Sequence, residues 1–109
     1  MRFYMTEIVV RNVAASAAWY ERTLGMTVAR VDGARFILLE ASGGRLALKQ
    51  GEPQPAGVKL HFEADALPPG ADVKASDEGY RRIVLADPDG YAVVVFAWDA
   101  ELRKTGADV

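Results

Sequence analysis

The chain contains no cysteine. Disulfides, thiolate nucleophiles and cysteine-based zinc sites are therefore excluded. Histidine is nearly absent as well, with only His61 present. No apolar run approaches the roughly 20 residues that a membrane-spanning helix needs. No basic cluster occurs, and a formal net charge of −2 gives no support to nucleic-acid binding. Neither a Gly-x-Gly-x-x-Gly run nor a phosphate-binding loop is present, so Gly43-Gly44 is not a phosphate cradle. No Ser/His/Asp set follows from spacing. Met1-Arg-Phe-Tyr4 leads into an amphipathic strand without a small-residue cleavage site, so the expectation is a cytoplasmic protein.

What is present is ordinary for one soluble domain: 109 residues, 50% hydrophobic and 26% charged. That length buries a modest core without staples. The most informative stretch is Asp87 to Trp98. Asp-Pro-Asp-Gly is a turn signal, because Pro88 presets φ, the aspartates bond local backbone and Gly90 tolerates positive φ. Tyr91 to Trp98 is a continuous apolar run, the pattern of a strand covered on both faces. With Arg81 to Leu85 it makes a hairpin. Arg35 to Leu48 aligns on Arg81 to Val94 without a gap, placing Gly44 on Gly90, Leu39 on Leu85 and Leu48 on Val94. The chain therefore reads as two related modules.

In chain order, Phe3 to Val10 reads as a strand with Phe3, Met5, Glu7 and Val9 on one face. Asn12 is suited to cap a helix over Ala14 to Leu24, with Ala17, Tyr20 and Leu24 forming its stripe, Ala14 and Trp19 widening it, and Gly25 ending it. Strands follow at Met26 to Val31, Phe36 to Leu39 and Leu46 to Gln50. Module one is residues 1–50, a linker spans 51–57, module two spans 58–98, and a polar tail with a short helix over Ala100 to Lys104 closes the chain. In module two, Val58 to Ala64 is a strand, Ala71 to Lys74 a short one and Ser76 to Gly79 a turn. Leu67-Pro-Pro-Gly70 leaves little room for a helix equivalent to that of module one, so module two is expected to have lost it or to keep a single turn.

The run Asn12, Ser16, Trp19-Tyr20, Leu24-Gly25, together with Asp87-Pro-Asp-Gly90 and the paired modules, resembles the vicinal oxygen chelate superfamily. Glyoxalase I, extradiol dioxygenases, fosfomycin resistance proteins and bleomycin resistance proteins belong to it. The resemblance covers nearly the whole chain. It implies an α+β fold of paired βαβββ modules forming a curved mixed sheet around a cavity, here with the second helix reduced or lost.

The resemblance also implies where a divalent metal would sit in many members: a His in the first strand, a His in the fifth and a Glu on the last. In this chain those positions fall on Met5, Lys59 and Val94. A thioether is too soft, an ammonium has no free lone pair and Val has no donor. The expectation is accordingly no metal and no cofactor. A relocated site would use Glu7 and His61, one strand step further on the same faces and able to meet across paired strands, with Glu40 or Glu63 completing the set. A lone His on a strand is more often a hydrogen-bonded pocket or surface residue.

What remains is a pocket. Same-face neighbours give its lining: Met5, Glu7 and Val9; Leu46, Leu48 and Gln50; Lys59, His61 and Glu63; Ala92, Val94, Phe96 and Trp98. The residues expected to contact a ligand are Met5, Glu7, Val9, Leu48, Lys59, His61, Val94, Phe96 and Trp98. Such a lining suits a planar or amphipathic organic molecule, oriented by Glu7, Lys59 or His61. Three functions compete. One is metal-independent sequestration of a small molecule, similar to the bleomycin resistance proteins. Another is a lyase, isomerase or dioxygenase with a rearranged site, Glu7 or His61 acting as general base. The third is a structural module acting through protein contacts. A symmetric homodimer, with or without strand exchange, is also expected, since Val58, Leu60, Phe62, Ile83, Leu85, Val93 and Val95 lack a helix to cover them.

Overall fold

The computed structural model describes residues 1–68 and 72–99. The helix expected over Ala100 to Lys104 lies outside them, as does Ala71. The described elements are β1 (Thr6–Val10), α1 (Val13–Leu24), β2 (Thr27–Asp32), β3 (Phe36–Ala41), β4 (Gly44–Gln50), β5 (Lys59–Glu63), β6 (Lys74–Ala75), β7 (Tyr80–Ala86) and β8 (Ala92–Trp98). The fold is α+β, with two four-stranded mixed sheets ordered β1-β4-β3-β2 and β5-β8-β7-β6. In each sheet the first and last strands of the module pair in parallel, and the remaining ladders are antiparallel. No helix occurs among the described residues of the second module, and no described helix is long and apolar enough to cross a membrane.

The chain forms two compact units. One holds Met1–Ala56 together with Asp87–Gly90; the other holds Gly57–Ala86 and Tyr91–Val109.

In the first unit, α1 starts where Asn12 stays extended and its side chain accepts from the Ala15 N–H at 2.9 Å. It stops at Gly25, which takes φ 70° and returns its N–H to the Glu21 carbonyl. The buried stripe is Val13, Ser16, Ala17 and Tyr20; Trp19 is half-buried and Ala14 is exposed, so neither belongs to it fully. α1 packs against β2, β3 and β4. Ladder register puts Ile8, Val10, Ile37, Leu39, Leu46 and Leu48 on one sheet face, all buried. That aliphatic face meets the helix stripe. The opposite face carries Glu7, Val9, Leu38, Glu40, Ala47 and Lys49, with the charged members exposed. β1 begins at Thr6 rather than Phe3, because the ladder to β4 starts at Thr6 opposite Leu46; Phe3 and Tyr4 are exposed.

In the second unit, one sheet face carries Leu60, Phe62, Ile83, Leu85, Val93, Val95 and Ala97. Ile83, Val93, Val95 and Ala97 are already buried within the single chain, while Leu60, Phe62 and Leu85 are half-buried. The central residues of β8, Val93, Val94 and Val95, are buried on both faces, as its apolar run implies.

The two hairpins differ in one respect that the gapless repeat hides. Ile37 opposes Leu48 in the first hairpin, whereas Ile83 opposes Val95 in the second. The first strands of the hairpins are thus offset by 46 positions and the second strands by 47. The first turn is Ser42-Gly43 between paired Ala41 and Gly44; the second runs from Asp87 to Tyr91 between paired Ala86 and Ala92. Leu48 therefore corresponds to Val95, not to Val94. A one-residue slip moves a side chain to the other face.

Candidate functional site

The two signature motifs meet in the first unit. The Tyr20 hydroxyl donates to Asp87 Oδ2 at 2.7 Å, and both residues are buried. Asp87 Oδ1 also accepts the Asp89 N–H at 2.9 Å, an Asx turn that shapes the loop. Asp89 in turn accepts from the Arg11 backbone N–H, the Arg11 guanidinium and the Ser16 hydroxyl at 3.3–3.4 Å. Gly90 supplies the positive φ, 89°, that ends the turn. Both carboxylates are occupied by holding the α1 start and the helix body. They are a clamp, not a reactive pair. Ser16 proves to be part of this clamp as well as of the helix.

Exposed chemistry gathers on the second sheet. Register places Lys59, His61 and Glu63 of β5 beside Ala92, Val94 and Phe96 of β8, and those beside Ala86, Val84 and Arg82 of β7. Trp98 pairs with Tyr80 on the same face, and Lys74 of β6 pairs with Arg82. Tyr80, Phe96 and Trp98 form a triangle of rings with centroids 5.4–5.8 Å apart, tilted or edge-to-face. The Trp98 indole N–H donates to Glu63 Oε2 at 2.6 Å, which fixes the ring that is itself about half exposed. Lys59, His61, Glu63 and Val84 are exposed too. The face is a rigid aromatic patch bordered by charge.

Of the residues expected to contact a ligand, Lys59, His61, Val94, Phe96 and Trp98 stand together on this face; Val94 is its buried floor. Glu7 and Val9 share the polar face of the first sheet. Met5 precedes β1 and is half-buried. Leu48 pairs with Ile8 on the helix-covered face and is fully buried, so it does not share a face with Glu7 and Val9; nor do Leu46 and Gln50. The residues not foreseen are Tyr80, Arg82, Val84 and Lys74. Alternation along Tyr-Arg-Arg-Ile-Val-Leu was the available signal, since Tyr80, Arg82 and Val84 are two apart.

The metal positions of the resemblance do not suit an ion here. Val94 is buried hydrocarbon on the face where Lys59 presents an ammonium, and Met5 offers only a thioether. Among the described residues no group of three or more His, Asp or Glu side chains is placed to hold a metal. The meeting of Glu7 and His61 across paired strands does not occur either: β1 ladders with β4, and β5 with β8. Register instead gives them equivalent places in their own sheets, Glu7 opposite Ala47 and His61 opposite Val94.

Comparison with known proteins agrees with this architecture. Residues 2–75 match the model of the Glyoxalase/Bleomycin resistance protein/Dioxygenase superfamily. Similar solved structures include a glyoxalase-related enzyme from Fulvimarina pelagi, with TM-score 0.71 and 17% identity over 89% of this chain and 88% of that one. A lactoylglutathione lyase from Agrobacterium tumefaciens gives 0.70 and 15% over 88% and 92%. An integron cassette protein from the mobile metagenome of V. cholerae gives 0.67 and 18% over 91% and 96%. At such identities the likeness is one of fold. No curated protein matches the chain.

Proposed function

The chain belongs to the Glyoxalase/Bleomycin resistance protein/Dioxygenase superfamily, and from that premise we propose that it binds a planar organic molecule without using a metal. The observation that carries this reading is the exposed face of the second sheet, where the Tyr80–Phe96–Trp98 ring cluster is braced by the Trp98–Glu63 hydrogen bond. Packed rings with a fixed orientation offer a stacking surface at little ordering cost. The polar groups beside them, Lys59 and His61, would set the pose. The bound molecule would be held, not converted: Asp87 and Asp89 are committed to the α1 clamp, and Glu7 and His61 belong to different sheets.

The test is a thermal-shift and isothermal titration series with planar aromatic compounds of every charge, before and after exhaustive dialysis against a chelator. A rise in Tm that survives chelation and is lost in Trp98→Ala supports the reading. Stoichiometric iron, manganese, nickel or zinc in untagged protein, with binding lost on chelation, overturns it.

A further inference from the structure

We propose that the ligand of this face is a planar organic anion, such as an aromatic carboxylate or sulfonate. The inference rests on the binding reading above and adds its charge. The chain as a whole carries a net charge of −2. The face of the second sheet has the opposite balance. Lys59, Arg82 and Lys74 lie on it, and among the described strand residues of this face the one carboxylate is Glu63.

The layout matters as much as the sum. One row of ladder partners crosses all four strands: Glu63, Phe96, Arg82, Lys74. Neighbouring strands lie about 4.8 Å apart, and same-face rows about 7 Å. Arg82 is therefore next to Phe96 in its own row and one step from Tyr80 along its strand. Trp98 is diagonal to it. Lys74 stands immediately beyond. A flat molecule stacked on the ring patch would have its edge within reach of a guanidinium and an ammonium. A guanidinium also matches a carboxylate in a two-point contact.

These cations are uncommitted. Every ion pair among the described residues involves Arg11, Arg35, Arg45 or Arg81. Beyond the backbone ladders, the side chains of Arg82, Lys74 and Lys59 make no ion pair or hydrogen bond among the described residues. Glu63, by contrast, accepts the Trp98 indole N–H, so its carboxylate is turned toward the ring it braces. Arg82 is half-buried, which lowers the entropy lost when it takes a partner.

The experiment uses three matched probes: 2-naphthoate, 2-naphthalenemethanol and 2-naphthylmethylammonium. Each is titrated by calorimetry into the full chain, at low and at physiological ionic strength. The expected result is naphthoate bound about tenfold or more tighter than the alcohol, with the gap narrowing in salt. Arg82→Gln should bring the ratio of naphthoate to alcohol affinity most of the way to one. Lys74→Gln, at an exposed position, should narrow the same gap partway and keeps the test usable if the Arg82 variant is poorly folded. Equal binding of all three probes, or preference for the ammonium, overturns the anion inference while the binding reading stands. Binding by none of the three overturns both.

Discussion

The two sheets share one topology and one register, yet they are finished differently. In the first, α1 covers the aliphatic face, and Ile8, Val10 and Leu39 are essentially sealed. In the second, the equivalent positions Phe62, Ala64 and Leu85 are only half-buried. The other faces differ at one telling place. The residue after β4 is Gly51, and its counterpart is Trp98. A Cβ on Gly51 would come 2.7 Å from Val9 Cγ1, whereas Trp98 reaches out to Glu63, the counterpart of Val9. The first sheet closes by bare backbone approach; the second builds a braced ring. The same framework is finished once as a sealed core and once as an exposed aromatic face.

The largest test of this contrast is a matched pair of core truncations. Leu39→Ala should cost about 3–4 kcal/mol and Leu85→Ala about 1–2 kcal/mol, because only the first leaves a sealed cavity. Urea unfolding of both variants measures the difference, and equal losses would mean that α1 does not set it. Next is the clamp. Tyr20→Phe removes a hydroxyl donor from a buried carboxylate and should cost about 2 kcal/mol. Adding Asp87→Asn should then cost much less than it does alone, a coupling that a double-mutant cycle reads. Gly51→Ala should cost about 1–2 kcal/mol through overpacking. Val9→Ala in the same chain should recover most of it, and failure to recover would point to backbone strain instead. Smallest is Glu63→Gln, with a stability change under about 0.5 kcal/mol at an exposed site. Its effect should appear in Trp98 fluorescence, since an amide still accepts the indole N–H but loses the charge.

Much of this was written into the sequence. Asn12 and Gly25 announce α1 through their capping chemistry, and both perform it. The apolar run after Gly90 announces a doubly covered strand, and the Pro68-Pro69 pair in the sequence fits the absence of a helix among the described residues of the second module. The faces of β5 and β8 also follow from period two, so Lys59, His61, Val94, Phe96 and Trp98 could be grouped correctly. Leu48 could not. A gapless alignment conceals an extra turn residue, and strand periodicity converts that single position into the wrong face. The Tyr20–Asp87 bond was equally hidden, because nothing local relates a helix residue to a turn so far along the chain. Arg82 was passed over because it follows Arg81, and two adjacent arginines look alike until pleating separates them; Arg81 pairs with Asp99 and Arg82 faces the rings' side.

The clamp also bears on how the protein is made. Tyr20 and Asp87 are separated by 67 positions, so a ribosome adding about 5–20 residues per second delivers the aspartate roughly 3–13 seconds after the tyrosine. In the later part of that interval, once β4 (Gly44–Gln50) has been added, the helix has its sheet strands but not its fastener. The amino-terminal half cannot reach its final state as an early, self-sufficient product of translation; it waits for a loop that belongs, by strand, to the other half.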